Sequence, residues 1–277
     1  AAMKKLESVK PKSFTDLLVK LTADQDSNMR QPAMQTLARM DSVKAFEVAQ
    51  KTLASGKNFD KQLVIALLST LKHPESSTVL LKLLQTIKEQ PIAIRLDILQ
   101  AAKKRSEPAL AKALAAYEAS IDKEDPLAGF EITLAGGDVG RGKNIFFRNG
   151  SANCQQCHKV GKRGGDAGPN LLGLGGRQDA SYILESIITP SAKLAPGYSP
   201  TAVTMKDGSV VAGMLMKNTD TEVVVRNVET QKDTVCKKTD IANMPPAMST
   251  MPPMGAILKK DQIRDLIAYL SSLKAKQ

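Results

Sequence analysis

Tryptophan is absent from the 277 residues, and aromatic side chains make up only 4% of them. A core without large rings has to be assembled from Leu, Ile, Val, Ala and Met, which leans toward helices. The same shortage removes the stacking platforms of nucleic-acid binders, and no nucleic-acid motif is present. No apolar run approaches the ~18–20 residues of a membrane-spanning helix. Histidine occurs twice and cysteine three times, so a site built on these residues has few partners to draw on. Acidic side chains are also in deficit: 39 Lys+Arg against 28 Asp+Glu leave a net charge of +11. The excess is spread evenly, 20 basic against 15 acidic residues over 1–125 and 19 against 13 over the remainder. Without a basic block, this is a mixed-charge surface that steers toward an acidic protein face rather than nucleic acid. The chain opens AAMKKLE, with no apolar leader, and the expectation is a processed exported chain or part of a longer one.

What is present divides into two textures. In residues 13–121, MRQPAMQTLARM (29–40), DKQLVIALLSTL (60–71) and IRLDILQAAKK (94–104) each set a basic residue just before a helical apolar stripe. Arg30, Lys61 and Arg95 follow at intervals of 31 and 34. Other amphipathic stretches lie between, and Gly56, Pro74 and Pro91 mark turns and helix starts. Helix pairs at this period predict an α-solenoid resembling a short HEAT-type array; the tetratricopeptide period is close, but its Trp and Gly-Tyr markers are missing. Pro126 and the Gly136-Gly137 pair break the pattern, which places a helical-repeat domain over 1–125 and a second domain over 126–277. Within the second, TAVTMK, SVVAGMLMK, TEVVVRNV and DTVCKKTDI are β-rich and separated by turn residues. Asp207-Gly208 between the first two is a hairpin signal, so a small antiparallel insertion is expected over about 199–241.

Residues 153–158, NCQQCH, hold two of the three cysteines and one of the two histidines. Structural zinc needs four ligands, and the spare candidates, Cys236 and His73, lie far away in different textures. A thioredoxin-type dithiol needs a βαβ setting that the flanks do not supply. The remaining reading is covalent attachment of one haem c. Two thiols three positions apart can add to the two vinyl groups of one porphyrin, with the adjacent histidine placed to ligate iron.

The flanks carry a family resemblance. GDVGRGKNIFFRN (137–149) resembles the opening helix of a class I c-type cytochrome, GPNLLGLGGR (168–177) the segment that follows its haem motif, and IRDLIAYLSSL (263–273) its closing helix. The resemblance implies a mainly α fold in which Cys154 and Cys157 form the thioethers and His158 is the proximal ligand. It further implies that the Pro169 carbonyl accepts the imidazole N–H and that Arg177 approaches a propionate, although Arg177 also reads as an ordinary surface arginine. Gly142 and Phe146 would meet Leu266 and Tyr269 where the first and last helices cross. The strand insertion, with LESIITPSAKLAPGY before it and STMPP after it, resembles a narrower group: the PVC-type haem-binding CxxCH proteins, exported bacterial proteins whose haem module follows helical repeats.

A sixth ligand remains to be found. His73 sits in the repeat half, and Cys236 reads as a small half-buried strand residue. NMPPAMSTMPPMGAIL supplies Met244, Met248, Met251 and Met254 in a proline-rich stretch without helical period. In class I cytochromes the ligand lies a little over four helical turns before the closing-helix tyrosine. Met251 precedes Tyr269 by 18 residues and Met254 by 15. Met251 is the expected ligand, with Met254 in reserve; Met244 and Met248 are expected to pack on the ring edge. Tyr198 reads either as a propionate donor or as a tyrosine closing a turn.

His/Met ligation closes both axial positions and raises the potential. The expected function is thus a monohaem electron carrier outside the cytoplasm, not an enzyme. Its partners would be proteins, a dehydrogenase-type donor or an oxidase-side acceptor, met through a small, electrostatically steered interface. The alternatives are a haem enzyme or gas sensor whose methionine dissociates, and a repeat-based interaction module that carries a haem.

Overall fold

The computed structural model describes residues 12–274. These form two compact units that divide between Gly136 and Gly137, with twelve α-helices and one five-stranded antiparallel sheet among the described residues.

The first unit is helical: α1 (Lys12–Leu21), α2 (Ser27–Met40), α3 (Ser42–Ser55), α4 (Asn58–Leu68), α5 (Ser76–Gln85), α6 (Ile92–Lys103) and α7 (Pro108–Ala119). Short turns join successive helices. Asp41 alone connects α2 to α3: its N–H donates to Leu37 O (2.8 Å), and its carboxylate caps α3 by accepting from Lys44 N (2.9 Å). Leu18, Leu37, Ile65, Leu68, Leu80, Ile94, Ile98 and Leu110 are fully buried in one core. Polar ties recur about thirty residues apart. Arg30 pairs with Asp60 at 2.6 Å, the Gln62 amide donates to Asp97 (3.1 Å), and Arg105 bonds Ser77 (2.6 Å). His73 belongs to this unit's packing: its ring stacks on Phe46 with centroids 3.9 Å apart, and its Nδ1 accepts from Glu75 N (3.3 Å).

Residues 126–136, which the sequence reading sets at the head of the second domain, pack inside the first unit. A 3-10 turn at Glu131–Thr133 buries Ile132 and Thr133 against α6. Gln62 Nε2 ties the end of the segment by donating to both Ala93 O and Gly136 O at 2.9 Å. Two buried side chains and these amide bonds outweigh Pro126 as organisers of this stretch, and the units part at the Gly136-Gly137 pair.

The second unit rests on α8 (Val139–Arg148) crossing α12 (Lys260–Ser272). The helices approach until a Cβ on Gly142 would lie 1.9 Å from Asp265 O and 2.7 Å from Tyr269 Cβ. Phe146, fully buried, packs beside Tyr269 with ring centroids 5.8 Å apart, and Leu266 is buried in the same crossing. Asp265 fastens the pair. Its carboxylate accepts from Arg141 Nε (2.6 Å), Arg141 Nη2 (2.9 Å) and the Asp138 N–H (2.7 Å). Between these helices come α9 (Cys154–Cys157), α10 (Leu174–Arg177) and α11 (Ala180–Ile188).

The sheet is inserted between α11 and α12. Its strands β1 (Pro200–Met205), β2 (Val210–Asn218), β3 (Glu222–Arg226), β4 (Asp233–Lys237) and β5 (Ile241–Asn243) lie in the order β4-β3-β2-β1-β5. The β1–β2 turn contains Asp207-Gly208, with Gly208 at φ +86, a backbone region open to glycine. One expectation changes here. The run DTVCKKTDI, read as a single strand, is broken by a 3-10 turn at Lys238–Asp240. Its last residue, Ile241, opens β5, which pairs with β1 at the far edge, Met205 opposite Ile241 and Thr204 opposite Asn243. The chain therefore leaves along β1 and returns antiparallel to it along β5, so the insertion starts and finishes on the same side.

Gly142→Ala should destabilise the second unit by about 1–3 kcal/mol, because the added methyl meets backbone that cannot yield. Gly140→Ala, whose methyl would meet only the Asp138 Oδ1 cap oxygen at 3.3 Å, should cost less than Gly142→Ala. Denaturant titration followed by circular dichroism compares the two.

Candidate functional site

After α8 the chain turns through Asn149, whose side-chain oxygen accepts from the N–H groups of Ser151 and Ala152 at 3.0 Å. Asn153, at φ 44, then starts the single helical turn of α9. That turn places Cys154 and Cys157 three residues apart on one helical face. His158 leaves it in extended conformation, its N–H held by Cys154 O (2.9 Å).

The following loop folds back under α9. Gly165 N donates to Gln155 O (2.9 Å) and Gly168 N to Cys157 O (2.8 Å). Gly168 has the most specific task. A Cβ there would stand 2.7–3.1 Å from three atoms of the His158 ring, so only a bare Cα lets the imidazole lie against the backbone. Pro169 O then sits 3.0 Å from His158 Nδ1. A carbonyl only accepts, so Nδ1 carries the proton and donates it, and Nε2 is left with a free lone pair.

Cys154, Cys157, His158, Pro169, Arg177 and Met251 all line one cavity of about 520 Å³, within the about 300–1,000 Å³ of small-molecule and cofactor sites. Its apolar wall includes Phe146, Ile183, Ile187, Leu266 and Leu270, so the α8–α12 crossing and α11 form its back. Arg177 is exposed and donates through Nη1 to Leu172 O (2.9 Å). Both Met251 and Met254 reach the cavity. The loop carrying Met251 is pinned by two hydroxyls: Ser249 N donates to Ser191 Oγ and Met251 N to Ser249 Oγ, each at 3.1 Å. Met254 is buried in a 3-10 turn, Met254–Ala256.

Two other methionines depart from expectation. Met244 packs against the sheet core with Val203, Val223 and Cys236, and Met248 is 66% exposed; neither lines the cavity. The reason is the path of β5, which delivers Met244 to the sheet before the chain turns to the cavity. Cys236 is a buried sheet residue whose thiol is pushed up by burial. Burial, with Cys157 close by, pushes the Cys154 thiol up to about 11, so the free side chain is a neutral thiol at physiological pH. Sequence reasoning did not single out Tyr182 and Ser199, which also line the cavity. A tyrosine on an amphipathic helix and a serine before a proline carry no signal of a site.

The donor set fits a haem c: two thiols on one helical face, an imidazole with Nε2 free, two thioethers and an apolar chamber. Comparison with protein families agrees. Residues 139–226 match the Cytochrome c family model, and such a domain implies covalently attached haem c. The match begins at α8, includes the cysteines and His158, and ends at β3, before Met251 and α12. No curated protein matches the chain.

Gly168→Ala should push the imidazole off its seat and loosen the Nδ1–H···O bond to Pro169. In a haem-loaded protein whose iron His158 would hold, a proton would compete for Nε2, so a ligand held less firmly would be lost at higher pH. The acid transition of the visible spectrum should move up by about one to two pH units, the size of a roughly ten- to hundredfold loss in ligand affinity.

Proposed function

We propose that the second unit is a monohaem c-type cytochrome that passes single electrons between protein partners outside the cytoplasm. The observation that carries this reading is the convergence of both motif cysteines, an imidazole of defined tautomer and two methionines on one apolar cavity. Cys154 and Cys157 hold the haem through thioethers. His158 would ligate through Nε2 while Pro169 O orients its ring, and Met251, which lines the same cavity, would supply sulfur. A bound haem would supply one-electron exchange, and Phe146, Leu266 and Leu270, which line the cavity, would keep water from it.

Met251 is preferred to Met254 for two reasons. It lies in a bend of an irregular loop pinned by Ser191 and Ser249, and it stands at the spacing from Tyr269 that the class I pattern asks for. Cys157 is exposed beside the motif, which supports approach of a partner there. The net charge of +11 supports an acidic face on that partner, a dehydrogenase-type donor or an oxidase-side acceptor. No helix among the described residues is long and apolar enough to cross a membrane; covalent haem c attachment favours an exported, periplasmic setting. The STMPP segment after an inserted sheet supports kinship with the PVC-type haem-binding proteins. Ties between α2 and α4 (Arg30–Asp60) and between α4 and α6 (Gln62–Asp97) support a HEAT-like array in the first unit. Its role would be docking or spacing.

Protein produced in a host competent for cytochrome maturation should be coloured and heavier than the polypeptide by one haem. A weak charge-transfer band at the red end of the ferric spectrum, and no carbon monoxide binding when reduced, are expected. Met251→Ala should remove that band and admit carbon monoxide. Loss of the band in Met254→Ala instead would transfer the ligand role, and ready carbon monoxide binding by the unmodified protein would favour an enzyme or sensor.

A further inference from the structure

The loop that follows NCQQCH returns under α9 on backbone bonds, and one of its side chains reaches out to α8. The Arg163 guanidinium lies over the Phe147 ring, 4.0 Å from the centroid, inside the about 6 Å at which a ring face attracts a cation. No carboxylate or carbonyl holds that guanidinium among the described residues. Of the loop's other cations, Lys159 pairs with Asp166 within the loop at 2.5 Å, and Lys162 is exposed.

Phe147 is a firm platform. It is 8% exposed, with its centroid 4.8 Å from that of Phe146 and 6.3 Å from that of Tyr269. Its carbonyl accepts from Gln155 Nε2 of α9 at 2.7 Å. The ring is thereby part of the α8–α12 crossing. The loop's tip is tightly turned: Val160 N donates to Arg163 O (2.9 Å) and Arg163 N to Val160 O (3.3 Å). Gly164 follows directly, where a Cβ would stand 2.2 Å from His158 O. Gly168 and Pro169, which seat the His158 ring, complete the same return. What holds Arg163 therefore also holds the backbone that orients the imidazole.

We propose that Arg163 is a positioning residue: its guanidinium on Phe147 fastens the return loop to α8 and keeps Pro169 O on His158 Nδ1. The fastening is a property of the chain itself. Its consequence, a proximal ligand kept in orientation, rests on the haem reading above and deepens it.

The test is hydrogen exchange by NMR on the haem-loaded protein. Three protons report whether the loop is closed: His158 Nδ1–H, Gly165 N–H and Gly168 N–H, bonded to Pro169 O, Gln155 O and Cys157 O. An exposed cation–π contact corresponds to about a two- to fivefold change in an opening equilibrium. Arg163→Ala should raise exchange at all three protons by about that factor and leave the amides of α12 at their unmodified rates. Arg163→Lys, which keeps the cation, should restore protection, and Arg163→Gln should not. In a Phe147→Leu background Arg163→Ala should add nothing, because the ring is the partner; Lys162→Ala should change nothing in any background. Unmoved protons in Arg163→Ala overturn the proposal, as does an equal rise in the Phe147→Leu background or a rise shared by α12. A protein with the mass of the bare chain would defeat the haem reading instead. Gly165 and Gly168 exchange in that chain would still decide the fastening, so the two failures are distinct.

Discussion

The bond between His158 Nδ1–H and the Pro169 carbonyl, over the bare Cα of Gly168, is the constraint on which the second unit's chemistry depends. It selects one tautomer, aims Nε2 and stops rotation about the ring's bond to Cβ. Everything around it serves that placement. The loop returns under α9 on backbone bonds to Gln155 and Cys157, and glycines stand wherever backbone meets backbone or ring. Without the return loop, the imidazole of NCQQCH would have no partner to orient it.

A second constraint is mechanical. The α8–α12 crossing brings together residues 124 and 127 positions apart through the bonds of Arg141 and Asp138 to Asp265. The same helices form the apolar back of the cavity, so the closure that stabilises the unit also dries the site. The sheet is accommodated because β1 and β5 are antiparallel neighbours. The chain can spend some forty residues on strands and still return toward the cavity with Met251, which explains how a large insertion separates the two proposed axial ligands without pulling them apart in space.

Much of this was legible in residue order. The CxxCH spacing states its chemistry locally, since a helical turn alone puts both thiols on one face. Amphipathic periods marked the helical half, and Asp207-Gly208 marked the β1–β2 turn. Other features were illegible for identifiable reasons. DTVCKKTDI was read as one β-rich run, yet a 3-10 turn at Lys238–Asp240 ends the pairing with β3 before Ile241, which pairs with β1 instead. Of the two breaks, Pro126 is not a boundary, because Ile132 and Gln62 draw residues 126–136 into the first unit, whereas the Gly136-Gly137 pair is where the units part. Met244 and Met248 share the composition of Met251, and only the path of β5 separates a sheet residue and a solvent-facing one from the two that reach the cavity.

The sequence by itself determined the attachment motif, the order of helical and strand segments, and a short list of methionines, because these depend on neighbours a few positions away. The tertiary structure alone decided which methionines enter the cavity, why position 168 must be glycine, and that Arg163 lies over the Phe147 ring. Those are statements about distance through space between residues far apart in the chain, and only packing sets such distances.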